Sequence, residues 1–220
     1  MKEPNRDIAK KTVINLVGPS AVGKTSLINE IDSLYPFFSR VRSYTTRQPR
    51  KGESLDTYRF IDSDTTNIEN LKQQSLQYDQ YPETDIIYGT EPADYRNVFN
   101  ALDTLSSSVE TFRNLGFAAC RQFIIVASPS EWQERVDSRG FQKQQLLSRY
   151  DEAVKSLSWS MREEDRVKWV YNQTGNLRQI ADLIVKLSVD PTSYENYHDY
   201  NPKEIGNDLL QYIKFIKRNN

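Results

Sequence analysis

This 220-residue chain has few of the residues that build disulfides, metal centres or membrane spans. It contains one cysteine, Cys120, and one histidine, His198. A single cysteine cannot form an intramolecular disulfide, and His198 has no neighbouring set of metal-ligating residues. The sequence also has no apolar run long enough to span a bilayer, and its charged start lacks the pattern of a signal peptide. We therefore expect a cytoplasmic protein without membrane partners.

An excess of charge of one sign is also missing. The chain carries 29 Lys and Arg against 30 Asp and Glu, which gives a formal net charge of -1. Such a balance provides no global basic field of the kind that attracts nucleic acid. We expect small-molecule partners and no nucleic acid, with any anion held by local groups of Arg and Lys. The oligomeric state is not predicted.

The apolar residues that are present fall into short runs typical of buried strands. These runs are TVINLV at 12–17, QFIIVA at 122–127 and KWVY at 168–171. Each is followed by a helical pattern, which predicts an α/β fold with a mostly parallel sheet flanked by helices. Apolar spacing in 95–102 predicts a further helix.

Two segments depart from this alternating pattern. Residues 43–90 are polar and rich in Tyr, Arg, Thr and Asp, and they predict a small inserted lobe. Residues 135–161 predict a long helical hairpin. Residues 188–220 predict a polar linker followed by an amphipathic helix, which begins at Pro202.

The segment Gly18-Pro-Ser-Ala-Val-Gly23-Lys24-Thr25 matches G-x-x-x-x-G-K-[ST] and lies between a predicted strand and a predicted helix. Backbone N–H groups of such a loop converge on phosphate oxygens, Lys24 neutralises β- and γ-phosphate charge, and Thr25 is a ligand for Mg²⁺. The motif predicts ATP and Mg²⁺ as cofactors. The predicted ATP-binding residues of the loop are Gly18, Ser20, Ala21, Val22, Gly23, Lys24, Thr25 and Ser26.

A second anion-binding pattern lies in the predicted lobe. Ser43-Tyr-Thr-Thr-Arg47-Gln-Pro-Arg50-Lys-Gly-Glu53, followed by Tyr58, places two arginines three residues apart around a proline. Guanidinium groups bind phosphate bidentately and stay charged, and the proline limits the entropy lost on binding. The pattern favours a site for a phosphate dianion, and the alternative is a solvated basic loop.

With the phosphate loop, this segment resembles the guanylate kinase family, whose acceptor motif has the form S-x-T-T-R-x-P-R-x-G-E. The resemblance extends from about Thr12 to Leu187, so that 1–187 form the kinase-like domain. It implies a P-loop kinase core with an acceptor-binding lobe at about 43–90 and a lid at about 135–161. It also implies phosphorylation of GMP or dGMP by ATP, with release of ADP.

Further matches follow in the order of the family. Tyr88-Gly89-Thr90 resembles Y-G-[ST], which implies that Tyr88 contacts the acceptor phosphate and Thr90 the guanine base. Asp79 occupies the place of a Glu that reads the base. The resemblance implies a substrate-binding set made of Ser43, Arg47, Arg50, Tyr58, Asp79, Tyr88, Gly89, Thr90 and Glu110.

Glu110 belongs to this set in one of two possible alignments with a further family motif. The family has L-D-x-D-x-x-G after the Y-G-[ST] motif, and its second Asp reads guanine, but this chain has no such string. An ungapped count from Tyr88 places Ser108 and Glu110 at the two acids. Another register would use Asp103, which the predicted helix over 95–102 places at a helix end. We therefore expect Glu110 and Asp79 to face guanine together.

The lid and the adenine side carry the remaining matches. Arg135-Val-Asp-Ser-Arg139-Gly140 resembles R-L-x-x-R-G, and Arg149 occupies the place of a further lid arginine. Asn172 resembles part of a V-N-D-D segment near the adenine of ATP. Lid arginines would meet the charge of the transferring phosphoryl group as the lid closes and excludes water. The implied catalytic residues are Lys24, Arg47, Arg135, Arg139 and Arg149.

Two other functions stay open at this point. One is a noncatalytic guanylate-kinase-like module that binds proteins, although Lys24 and Arg47 are kept, which favours catalysis. The other is a related P-loop kinase that phosphorylates a different small phosphorylated acceptor. Tyr88 and Thr90 argue against a sugar in that role.

Overall fold

The structure is a computed structural model, and it describes residues 7–49, 54–80, 85–192 and 200–219. The strands within these ranges are β1 (Thr12–Val17), β2 (Phe38–Arg40), β3 (Tyr44–Thr45), β4 (Arg59–Phe60), β5 (Gln77–Gln80), β6 (Ile87–Thr90), β7 (Phe99–Asp103), β8 (Ala119–Val126) and β9 (Lys168–Tyr171). The α-helices are α1 (Lys24–Leu34), α2 (Ile68–Gln74), α3 (Val109–Asn114), α4 (Pro129–Asp137), α5 (Lys143–Arg162), α6 (Leu177–Val189) and α7 (Pro202–Arg218).

The main sheet has five parallel strands in the order β2-β7-β1-β8-β9. Every residue of β1 is buried, and helices cover the sheet, which explains why these strands read as short continuous apolar runs. The predicted α/β class and the strands β1 and β9 are confirmed. The third predicted strand begins earlier than expected, since β8 starts at Ala119.

The helix predicted over 95–102 is wrong, because β7 forms there. This strand lies between β1 and β2, with Ile14 opposite Ala101 and Leu16 opposite Asp103. Its central residues are buried between its two neighbours. Pairing with two strands overrides the helical spacing of a short apolar segment. Asp103 therefore lies at the carboxyl end of a strand next to β1, directly beside the segment that follows β1.

A second, smaller sheet has the order β4-β3-β6-β5, and all four strands come from within 43–90. Strands β3 and β4 have two residues each, and helix α2 has no buried residue. Ser75 links the lobe internally, since its hydroxyl lies 2.6 Å from that of Tyr44. The described part of this lobe is thus held by short strands and a few side-chain contacts.

Helices α4 and α5 lie in the segment where a helical hairpin was expected, and α4 begins earlier than that segment, at Pro129. Ser128 caps α4 in a reciprocal arrangement with Glu131, and Pro129 occupies the first turn. The turn between the two helices contains Gly140, whose φ is 57°.

The last helix, α7, lies where a terminal amphipathic helix was expected, and its N-cap Asn201 accepts a hydrogen bond from the N–H of Lys203. Its buried residues Leu209, Leu210 and Ile213 belong to the same core as the main sheet. At Gly206 a Cβ atom would lie 2.4 Å from the ring of Trp169. The helix therefore covers the core closely. Among the described residues, no helix is both long and apolar enough to cross a membrane.

Candidate active site

An open cleft with a cavity volume of about 160 Å³ lies at the carboxyl ends of β1 and β7. The loop after β1, the second sheet, the segment after β7 and helix α5 all line it. Ligand clefts of open α/β sheets lie at this edge. The lining residues from the loop are Ser20, Ala21, Gly23, Lys24, Thr25 and Ser26, and Gly18 and Val22 shape the loop without lining the cleft.

Two glycines of the loop are required by close approach and by positive φ. Gly18 has a φ of 145°, and a Cβ atom there would lie 2.3 Å from the carbonyl oxygen of Ile125 on β8. Gly23 has a φ of 94°, and a Cβ atom there would lie 2.2 Å from the amide nitrogen of Asn172. Both positions exclude any side chain, so that the loop can turn tightly into α1.

Lys24 is almost fully buried at the floor of the cleft, with 7% of its surface exposed. Its ammonium group donates to the carbonyl oxygens of Gly18 at 2.6 Å and Pro19 at 2.8 Å. It also lies 3.6 Å from the carboxylate of Asp103. Burial raises the pKa of Asp103, and the nearby charge of Lys24 opposes that rise. About a third of the Asp103 side chain still faces the open cleft.

Asn172 and Arg135 lie behind the loop and do not line the cleft. The amide of Asn172 donates to the carbonyl oxygen of Val22 at 2.7 Å. The guanidinium of Arg135 donates to the same oxygen at 3.3 Å and to the carbonyl oxygen of Asn172 at 2.9 Å. It also donates to the hydroxyl of Thr174 at 2.9 Å. The two side chains thus brace the loop at the carbonyl oxygen of Val22.

Glu131, which is not among the site residues expected from the sequence, anchors this brace. Its carboxylate accepts from the N–H of Thr174 at 2.7 Å and from the hydroxyls of Ser128 and Tyr171, both at 2.8 Å. Burial disfavours the ionised carboxylate of Glu131, but these hydrogen bonds stabilise it more strongly and lower the pKa of Glu131 to about 2. The capping-box spacing S-x-x-E was the signal available in the sequence.

Two of the three predicted lid arginines line the cleft. These are Arg139, in the turn after α4, and Arg149, on α5. Arg149 donates to the carboxylate of Glu152 at 2.9 Å, and Glu152 also lines the cleft. The segment expected to form the lid therefore contributes two arginines to the lining of the cleft.

On the lobe side, Ser43, Tyr58, Asp79 and Tyr88 line the cleft. Arg47 does not line it, but its Nε donates to the Tyr88 hydroxyl at 3.2 Å. The guanidinium of Arg47 lies over the ring of Tyr58, 5.4 Å from its centre. Burial raises the pKa of Tyr58, so that its hydroxyl stays protonated. Arg50 lies outside the described residues.

Gly89 and Thr90 contribute behind the cleft wall. A Cβ atom on Gly89 would lie 2.1 Å from the hydroxyl oxygen of Tyr44, so this position of β6 requires glycine. The hydroxyl of Thr90 is buried and lies 2.9 Å from the hydroxyl of Tyr95. The structure therefore pairs Thr90 with a core tyrosine and does not bring it to the cleft.

One carboxylate of the lobe is held by neutral side chains. Oδ2 of Asp79 accepts from the amide of Gln77 at 2.6 Å and from the hydroxyl of Ser108. All three residues line the cleft. Asp79 is thus fixed between the second sheet and the segment that follows β7.

The expectation that Glu110 faces the base requires correction. Glu110 lies on α3, where it pairs with Arg113 and, at 3.4 Å, with Arg166. Its side chain is 55% exposed and does not line the cleft. The error came from the helix predicted over 95–102. With β7 in place, Leu102-Asp103 matches the L-D of the family string, so Leu105 takes the place of the second acid and Ser108 that of the glycine.

A parallel sheet, a glycine loop before a helix and a buried lysine over that loop define a P-loop nucleotide-binding protein. The family model of guanylate kinase matches residues 9–168. The chain belongs to the guanylate kinase family.

Individual relatives agree with this assignment. The chain is 28% identical over 178 residues to the guanylate kinase of Oleidesulfovibrio alaskensis, which covers 77% of this chain and 82% of that protein. It is 24% identical over 213 residues to the guanylate kinase of Aromatoleum aromaticum, with 94% and 98% covered. The crystal structure of guanylate kinase from Anaplasma phagocytophilum matches with a TM-score of 0.54 at 15% identity, covering 84% of this chain and 86% of that one. This last likeness supports the fold.

Proposed function

We propose that this chain transfers the γ-phosphoryl group of ATP to GMP or dGMP and releases ADP. One observation carries the proposal: the phosphate loop and the inserted lobe line the same cleft, the loop with Lys24 and Thr25 and the lobe with Tyr58 and Tyr88. A cleft that holds donor and acceptor together makes transfer effectively intramolecular. Membership of the guanylate kinase family directs the choice of acceptor.

Lys24 is the group proposed to stabilise charge on the transferring phosphoryl. Its ammonium is held now by two loop carbonyl oxygens, and the phosphates of ATP would replace those acceptors. Arg139 and Arg149 line the same cleft and would add charge as the lid closes. The position of Arg135 favours a different role, which is to hold the loop and the adenine side in place.

The oxygen donors that line the cleft are sufficient to hold Mg²⁺ if ATP itself provides most of the ligands. Mg²⁺ in kinases takes one or two protein ligands and keeps waters and substrate phosphates. The hydroxyl of Thr25 and the carboxylate of Asp103 both line the cleft, and both are oxygen donors. Within the described ranges, no group of three or more His, Cys, Asp or Glu side chains could hold a metal unaided. Bound Mg²⁺ would supply positive charge to the phosphates.

The acceptor phosphate is assigned to the pair of Arg47 and Tyr88, with Tyr58 beside them. The hydrogen bond between Arg47 and Tyr88 fixes both donors relative to each other before a substrate binds. Ordered donors lose less entropy on binding. The cytoplasmic location expected from the composition stays a prediction.

An assay of ADP release tests the proposal. Purified chain with ATP and Mg²⁺ would be given GMP, dGMP, AMP, CMP or UMP, with omission of the acceptor as the blank. We expect ADP release above the blank with GMP and dGMP, and little with the pyrimidine nucleotides. ATP binding without ADP release from any acceptor would contradict the proposal and support a noncatalytic module.

A further inference from the structure

The segment that follows β7 places an apolar residue where the family has a second base-reading acid. Leu105 lines the cleft, and its carbonyl oxygen accepts from the N–H of Ser108 at 3.0 Å. The hydroxyl of Ser108 in turn donates to the carboxylate of Asp79. Leu105 is therefore one tight turn away from the group that holds Asp79.

The acidic side chains of the cleft differ in whether they contact a cationic or a neutral group. Among the described residues that line it, the acids are Asp79, Asp103 and Glu152. Asp103 lies 3.6 Å from the Lys24 ammonium, and Glu152 accepts from Arg149 at 2.9 Å. Asp79 alone among these three has neutral side chains as its recorded partners, namely Gln77 and Ser108. One carboxylate is thus placed to read a base.

One carboxylate beside a leucine can distinguish adenine from 6-oxopurines, but it cannot distinguish 6-oxopurines with a 2-amino group from those without one. A carboxylate accepts hydrogen bonds and has about four lone-pair sites, of which Gln77 and Ser108 use two. The N1–H of a 6-oxopurine can donate to the remaining sites, whereas N1 of adenine is an acceptor and would repel the carboxylate. A 2-amino group would find at Leu105 a surface that accepts no hydrogen bond.

On the basis of the function proposed above, we propose that the acceptor class is the 6-oxopurine nucleoside monophosphates, so that inosine monophosphate is used alongside GMP. Asp79 selects the 6-oxopurine edge through N1–H. Leu105 makes the site tolerant of purines with and without a 2-amino group, because its side chain lines the cleft and offers that group no hydrogen-bond acceptor.

The test compares kcat/KM for GMP, inosine monophosphate and AMP in the wild type and in Leu105→Asp. We expect the wild type to favour GMP over inosine monophosphate by less than about tenfold, with AMP much poorer. Leu105→Asp should increase the preference for GMP by about 10- to 100-fold, which is the range for a hydrogen bond to a charged group. Leu105 has an extended backbone before a helical turn, a position that accepts Asp readily.

Ser107→Asp is the matched control, because it adds the same charge two residues away at an exposed position that does not line the cleft. The ratio of its kcat/KM for GMP to its kcat/KM for inosine monophosphate should equal that of the wild type. A wild-type preference for GMP above about tenfold, or an unchanged ratio in Leu105→Asp, would overturn the inference. Calorimetric Kd values compare the binding of the two nucleotides without turnover, and the same change with Leu105→Asp is expected in the ratio of these Kd values. If no acceptor is phosphorylated, the proposed function fails, and the Kd ratio still decides the inference.

Discussion

The two sides of the cleft are built in different ways. The donor side rests on β1, every residue of which is buried, and on two glycines that have no room for a side chain. The acceptor side rests on strands of two to four residues and on a helix, α2, with no buried residue. Burial of apolar surface stabilises the donor side, whereas single side-chain contacts hold much of the acceptor side. Substitutions on the donor side should mainly lower kcat, whereas substitutions on the acceptor side should mainly raise the KM for the acceptor.

The largest effect is expected from Lys24→Met on the donor side. Methionine keeps the length of the side chain but loses the charge that would face the phosphates, so kcat should fall by about 10²- to 10³-fold. The acceptor KM should change little. Steady-state kinetics measure the loss, and thermal unfolding serves as the control for folding. Turnover close to that of the wild type would remove the basis for the donor assignment.

Arg47→Ala tests the acceptor side. It removes a guanidinium that holds Tyr88, and the acceptor KM should rise by about 10- to 100-fold while the KM for ATP stays unchanged. Arg42→Ala is the matched control, because Arg42 is an exposed arginine immediately before the lobe, pairs with Asp56 of the lobe and does not line the cleft. A rise confined to the KM for ATP would reverse the assignment of the two sides.

Gly89→Ala should damage the acceptor side through packing alone. The added methyl group would lie 2.1 Å from the Tyr44 hydroxyl and 2.7 Å from the carbonyl oxygen of Gln77, so β6 must shift. We expect a loss of about 1–3 kcal/mol in the free energy of unfolding, together with a higher acceptor KM. For comparison, Gly175→Ala meets no atom within 4 Å, although its φ is 89°. It should cost stability through backbone strain and leave the acceptor KM unchanged.

The smallest effect on turnover is expected from Glu131→Gln, which loosens the brace behind the phosphate loop. The pKa of Glu131 is about 2 in the folded chain, below its ordinary value of 4.5. Its charge therefore stabilises the fold above pH 4.5, and this contribution is lost as the pH falls towards 2.

At pH 7 the variant should be less stable than the wild type by about 1–3 kcal/mol. The difference should shrink below pH 4.5, as measured by denaturant unfolding at a series of pH values. A difference that stays constant down to pH 3 would show that the charge is not responsible.

The donor side could be predicted from local sequence, because its motif specifies a strand, a loop and a helix in consecutive residues. The acceptor side could be predicted only in part. Strand β7 was missed since five residues carry little periodicity and its identity depends on pairing with β1 and β2. That single error moved the expected base contact from the segment at Leu105 to Glu110, which pairs with arginines on the surface.

The placement of Arg135 shows a different limit. Its spacing in the motif matched the family, but spacing cannot tell whether a helix turns an arginine towards the cleft or towards the carbonyl oxygen of Val22. The match to a family segment also predicted Asn172 near adenine, and in the structure the amide of Asn172 donates to the carbonyl oxygen of Val22. Contacts between segments more than 30 residues apart determine where both side chains point, and the place of Asn172 near adenine stays a prediction.

Helix α7 also affects the order in which the chain can complete its fold. It buries Leu209, Leu210 and Ile213 in the core of the main sheet and contributes a lysine, Lys217, that pairs with Asp151 of the lid helix α5. Ribosomal synthesis makes α7 after every element that it covers. The growing chain therefore leaves the apolar surface around Trp169 exposed to water and to other chains until this helix has been made and has docked.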